Sequence, residues 1–183
     1  VALNLEGFRS NGISLVRKNM QDAHGKDWHN LSFKKSNRTL GDFALKPSRI
    51  YSAAVIEMIG SYKQEPKTEI HGIAHITGGG IPGKLGRVLG SSGLGAVIED
   101  PFAPSDFMLY TQELGNVRDF EAYRTWNMGQ GMIIITPEPH EVTLIAEQYG
   151  IKPKLIGEII DKPGIVIKNK GAFSRGQYLT YPL

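Results

Sequence analysis

Three consecutive glycines, Gly78-Gly79-Gly80, follow Thr77 at the end of an alternating run and precede an amphipathic stretch. Glycine admits positive φ, so such a turn can aim successive N–H groups at one point, and a following helix adds its free first-turn donors and positive dipole end. That is a phosphate cradle by composition, although a strand-to-helix turn packed for space alone would read the same way. Gly78, Gly83 and Lys84 also complete the first part of a Walker A loop, but Leu85 stands where Ser or Thr must hold magnesium, and Pro82 removes a donor. A P-loop nucleoside triphosphatase is therefore rejected. His71 and His75 share one face of the preceding strand; four residues of strand span about 13 Å, too far for one metal ion, so both read as hydrogen-bonded structural histidines. Glu99-Asp100 reads as a solvated strand end. Asn127-Met128-Gly129-Gln130-Gly131 is a second glycine-bearing turn that lets a ligand, or simply a neighbouring chain, come close. No nucleophile–histidine–acid order and no H-E-x-x-H is present, and no catalytic residue and no metal ligand is assigned.

These groups must be carried by one modest domain. The chain has 183 residues, 40% of them hydrophobic and 21% charged, with 21 Lys and Arg against 18 Asp and Glu. That balance fits an ordinary globular domain with its own core. No basic run exceeds two residues, which argues against nucleic acid; no apolar run of about 18 residues argues for a membrane span. Cysteine is absent, which removes disulfides and thiolate chemistry and suits a reducing, cytoplasmic setting. Of 22 glycines, nine fall between His71 and Asp100, so the excess is local to the cradle.

The periodicities predict a strand at Val1–Leu5, then a helix with Ile13, Val16 and Met20 on one face. Residues 21–41 read as a polar surface loop. A helix follows from Pro47 with Tyr51, Val55, Met58 and Tyr62 on one side, then a strand over Glu69–Thr77. Beyond the glycines come a short helix with Leu85, Val88 and Leu89, a buried strand Leu94–Glu99, and a helix capped by Ser105. A strand at Met132–Thr136 and a helix stopped by Gly150 lead to a hairpin, Leu155–Ile160 with Ile165–Lys168, closing on Asp161–Gly164. The expectation is an α+β domain over 1–168, a mixed β-sheet packed with helices, and a tail at 169–183.

Several segments, in order, resemble one family. Arg9–Arg17 (R-S-N-G-I-S-L-V-R) is similar to H-S-N-G-[YF]-S-L-V-R, and Leu45–Tyr51 to L-x-P-T-x-I-Y. His71–Gly80 with Arg87-Val88-Leu89 resembles A-H-[IL]-T-G-G-G…R-V-L. Gly115–Val117 and Tyr123–Met132 resemble G-N-V…Y-R-T-F-N-M-G-x-G-M. The family is phosphoribosylformylglycinamidine cyclo-ligase, or aminoimidazole ribonucleotide (AIR) synthetase. The resemblance implies the C-terminal half of an ATP-dependent ligase of purine biosynthesis that closes an imidazole ring, inactive without its N-terminal domain. It implies ATP and magnesium as cofactors, with the magnesium ligands mainly in that other domain. The implied partners are the N-terminal domain or a split partner chain and a nucleotide substrate, with a homodimer for the whole enzyme. Arg9, Ser10, Asn11, Gly12, Asn127, Gly129 and Gly131 would bind substrate, and Thr77, Gly78, Gly79 and Gly80 would bind phosphate. Arg9 stands where the family has histidine. A non-catalytic nucleotide-binding relative, or another ATP-using member of the superfamily, is the alternative.

Overall fold

A computed structural model describes residues 1–9, 11–34 and 36–183. Among these residues eight strands form two four-stranded sheets. The first has the order β2-β4-β1-β5, from β1 (Ala2–Asn4), β2 (Gly72–His75), β4 (Gln130–Ile135) and β5 (Pro153–Lys154), and every neighbouring pair is antiparallel. The second has the order β6-β3-β7-β8, from β3 (Gly95–Ile98), β6 (Gly157–Ile160), β7 (Gly164–Lys168) and β8 (Tyr178–Tyr181). Here β3 runs parallel to β7 and antiparallel to β6, so this sheet is mixed and the fold is α+β.

Side-chain alternation divides the first sheet between two cores. Ala2, Ala74, Ile76 and Ile133 face the main core, together with α4 (Gly80–Leu89) and α6 (Asp119–Thr125). Val1, Leu3, Met132 and Ile134 face a smaller core formed with α3 (Ser52–Ile59) and α7 (Pro139–Gln148). A sheet covered on both sides must be apolar on both, which is why β4 reads as a continuous run, Met132-Ile133-Ile134-Ile135, rather than an alternating one. In the second sheet Ala96, Ile98, Ile165 and Ile167 turn into the main core while Val97 and Val166 are only half-buried. The sheet shows one face inward, as the period-2 pattern requires.

Four sequence expectations are corrected. The segment 21–41 is not a surface loop. The helix α1 (Ile13–His24) runs into it, a 3₁₀ turn spans Trp28–Asn30, and α2 (Leu40–Ala44) starts at its end on a Thr39–Asp42 capping box. Trp28, Phe33 and Leu40 are buried, and Phe33 packs edge-on to Phe43 and Phe107. Three anchors at irregular spacing leave no period to detect. The helix expected from Pro47 starts at Ser52, and Tyr62 lies beyond its end, 91% exposed. The hairpin of β6 and β7 does not form, because β3 lies between them: Gly95 faces both Ile160 and Gly164, and the connection 161–163 wraps around it. A side chain at 95 would strike the backbones of Lys162 and Gly164. Finally, 169–183 is no loose tail, since β8 pairs with β7 and Tyr181 is buried, stacked on Phe120.

Candidate functional site

The strand β2 delivers its polar face to one corner of the molecule. Ala74 and Ile76 are buried, whereas His75 between them is exposed. The chain then leaves the sheet through Thr77–Gly80 and enters α4, with Gly79 as its N-cap in left-handed geometry (φ 94°). The Gly80 N–H is spent inside the turn, donating to the Thr77 carbonyl (2.9 Å), and Gly83 N–H returns to the Gly79 carbonyl (3.0 Å). Gly78 and Gly79 are exposed, and among the described residues no acceptor takes their N–H groups or that of Ile81. Together with the positive end of α4 they form an anion-friendly edge.

The loop from β1 to α1 closes over this edge. Arg9 holds a left-handed backbone (φ 59°), a conformation that a long side chain rarely adopts and that needs strong surrounding contacts. The contacts are present. Nη1 hydrogen-bonds His75 Nε2, Nη2 reaches the Gly131 carbonyl (3.4 Å), and the guanidinium lies 5.5 Å from the centre of the Tyr51 ring. Tyr51 is pinned in turn by its hydroxyl, which donates to the Asn4 carbonyl (2.7 Å). Asn11 sits beside the glycine turn; a Cβ built on Gly78 would lie 3.3 Å from its Oδ1. Ser10 lies outside the described residues. Burial holds the Arg9 pKa below its ordinary value, and burial raises that of Tyr51. His75 is pulled down by partial burial first, then by the positive charges of Arg9 and Lys84.

The other expected substrate contacts divide. Gly131 belongs to the corner: its carbonyl receives Arg9 and the Ile76 N–H (3.0 Å), and an added Cβ would collide with the Tyr51 hydroxyl. Asn127 and Gly129 are buried and brace the scaffold. Asn127 is 3% exposed; its Nδ2 donates to the Gly7 carbonyl (2.8 Å), and its Oδ1 accepts from the Gly129 N–H (2.9 Å). Gly129 then holds β1 through the bond from Leu5 N–H to its carbonyl (3.0 Å). Gly12 caps α1 directly beneath Trp126, whose indole N–H approaches its carbonyl (3.4 Å). All three glue the loop in place.

Sequence reasoning missed His75, Tyr51 and Lys84 as members of the corner, because three separate segments bring them together. His71 does not join; it pairs with Glu69 (2.6 Å) on the surface. Asp100 is bound by Lys154 (2.5 Å) and Lys170, whose hydrogen bonds hold its pKa down to about 2, and Glu99 accepts from Tyr178 (2.7 Å). That strand end is an ion-paired surface. Among the described residues no group of three or more His, Asp or Glu side chains could hold a metal ion, and no helix is long and apolar enough to cross a membrane. A cavity of about 690 Å³ lies between the two sheets, away from the corner, lined chiefly by Leu85, Ile98, Ile133, Ile135, Ile156 and Ile159. Its aliphatic walls suit apolar contact, not phosphate.

Known proteins place this architecture. The sequence model described as "AIR synthase related protein, C-terminal domain" matches residues 1–170. A phosphoribosylformylglycinamidine cyclo-ligase of Methanosarcina acetivorans is 38% identical over 169 residues, 92% of this chain and 46% of that protein. One of Synechococcus elongatus is 32% identical over 169 residues, covering 91% and 48%. The chain thus spans about half the length of the curated relatives it matches. Among solved structures, "T. maritima PurL complexed with ATP" aligns with 62% of this chain and 18% of its own, at a TM-score of 0.42 and 14% identity. On the match over residues 1–170 and the identity to these relatives, the chain belongs to the family of AIR synthase related protein C-terminal domains.

Proposed function

We propose that this chain is the C-terminal half of an ATP-dependent cyclo-ligase that closes the imidazole ring of aminoimidazole ribonucleotide, acting in the cytoplasm with an N-terminal half and as a homodimer. The supporting observation is the corner itself: a guanidinium, an imidazole and unclaimed main-chain amides meet at one exposed site, in a chain akin to cyclo-ligases along nearly its whole length. Bound ATP would supply the γ-phosphoryl that turns the formyl oxygen into a leaving group, after which an amidine nitrogen attacks that carbon. Ring closure of this kind needs positioning and charge stabilisation rather than a protein nucleophile. Arg9, Asn11 and the amides of Gly78 and Gly79 would hold a phosphate group. Arg9 cannot serve as a base near neutral pH, but it can grip phosphate through two N–H groups. The magnesium ligands would lie mainly in the other half, as the family resemblance implies.

The test is to fuse the chain behind the part of the Methanosarcina acetivorans protein that it does not cover. The fused protein should form product from formylglycinamidine ribonucleotide and ATP, and the chain alone should not. Arg9→Ala in the fusion should raise KM for the phosphorylated substrate by about tenfold or more, the worth of one charged hydrogen bond. A folded fusion that binds substrate and nucleotide but never turns over would establish the non-catalytic alternative, and Arg9→His would then show whether the missing family histidine is the cause.

A further inference from the structure

We propose that Arg9 and His75 form a proton-coupled receptor for a tetrahedral dianion. When a phosphate group engages the Arg9 guanidinium, His75 takes one proton from solvent at Nε2 and becomes a second donor to the same anion. The inference rests on the reading of the corner as a phosphate site and adds how that site responds to its ligand.

The geometry of the pair requires the first state. Arginine carries only N–H donors, so the Nη1–Nε2 hydrogen bond demands a lone pair on Nε2. The ring is therefore neutral, with its proton on Nδ1. Every charged group facing it has the same sign. Arg9 reaches it from the β1–α1 loop, Lys84 from α4, and the neutral Tyr51 lies edge-on with ring centres 6.4 Å apart. The neighbouring strand β4 places Met132 opposite and has no charged residue. Among the described residues no carboxylate is among the charges acting on His75, so the corner is net positive and attracts an anion.

A dianion reverses each of these conditions. It offers acceptors to the guanidinium, releasing Nε2, and it replaces net positive surroundings with negative ones within hydrogen-bond reach. An opposite charge at that distance raises a histidine pKa by about 1–3 units. Arg9 and His75 are both solvent-accessible at their contact, so the anion can reach them without rearranging the core. Linkage then makes anion binding tighten up to tenfold for each pH unit lost between the bound and free midpoints of His75. A phosphate monoester dianion recruits the proton more strongly than a singly charged anion does, and a neutral ligand does not recruit it.

The experiment follows the ¹⁵N resonances of the His75 ring and of the glycine amides in the labelled chain from pH 5 to 8. Sulfate is the first probe, a tetrahedral dianion that does not titrate in this range, and inorganic phosphate the second. The expected result is that sulfate shifts the Gly78 and Gly79 amides, moves the His75 midpoint up by about one pH unit or more, and protonates Nε2. Arg9→Gln should raise the midpoint of the ligand-free ring and abolish its response to sulfate. His75→Gln should still bind sulfate but with an affinity independent of pH. Amide shifts with an unmoved His75 midpoint would overturn the proton coupling while leaving the phosphate site standing. Absence of any amide shift with either anion would overturn both.

Discussion

Arg9, Tyr51, Gly131 and His75 behave as one unit, because each restricts the next. The Tyr51 hydroxyl reaches the Asn4 carbonyl only through the space left at Gly131. Gly131→Ala should therefore expel the ring, break that bond and remove the surface on which Arg9 lies. A cost of about 2–3 kcal/mol follows from overpacking plus a lost buried hydrogen bond, read as a lower urea midpoint with unchanged slope, and phosphate binding should weaken in parallel. Tyr51→Phe removes only the hydroxyl and should cost about 1 kcal/mol with the cation–ring contact retained. The triple glycine was legible in the sequence because its chemistry is local: three residues and the helix behind them. The pair Arg9–His75 was not, since 66 positions separate its members and neither spacing nor residue type marks them as partners. His75 on a strand face reads as a satisfied structural histidine until the register places an arginine over it.

Elements were legible where a period ran long enough. The helices α1 and α7 and the strand β4 stand close to where their apolar spacing puts them. The seven-residue α6 was not seen, because two turns give no repeat, and β6 and β7 carry the same alternation and turn residues as a true hairpin while β3 lies between them. Besides buried Tyr181, the C-terminal segment is tied in by polar contacts that leave no hydrophobic signature. Asp119, 4% exposed, accepts from Gln112 (2.6 Å), Asn169 (2.7 Å) and both the N–H (2.6 Å) and hydroxyl (2.7 Å) of Ser174. Burial alone would raise this carboxyl; the donors from Ser174, Gln112 and Asn169 outweigh it and leave the pKa below its usual value. The sign follows: the stabilisation is complete above the unfolded value, about 3.9, and is lost as pH falls through the lower folded value. Asp119→Ala should cost about 3 kcal/mol or more at pH 7 by stranding these donors, and less near pH 3, measurable by urea unfolding at the two pH values. Ending the chain after residue 170 should be comparably damaging. It removes β8, unpairs the edge of β7 and takes away buried Tyr181, whose hydroxyl bonds the Phe120 carbonyl (3.1 Å). The shortened chain should unfold earlier on heating and aggregate through the bared strand.

At the scale of the whole molecule, every sheet pairing except that of β7 with β8 spans a long stretch of sequence. Ala2 pairs with Ile133 and with Lys154, Gly72 with Ile135, and Gly95 with both Ile160 and Gly164. Loops of that size must close before any pairing is rewarded, so refolding from denaturant should take milliseconds to seconds rather than microseconds, as stopped-flow tryptophan emission from buried Trp126 and Trp28 would record. The same strand order bears on how the protein is made. Among the described residues, the three strands that precede Gln130 pair with none of each other. A nascent polypeptide emerging from the ribosome therefore carries the first sheet's apolar strands unsheltered until β4 is out, and β3 of the second sheet until β6 and then β7 follow. For most of translation this chain is a natural client for whatever shields newborn hydrophobic segments.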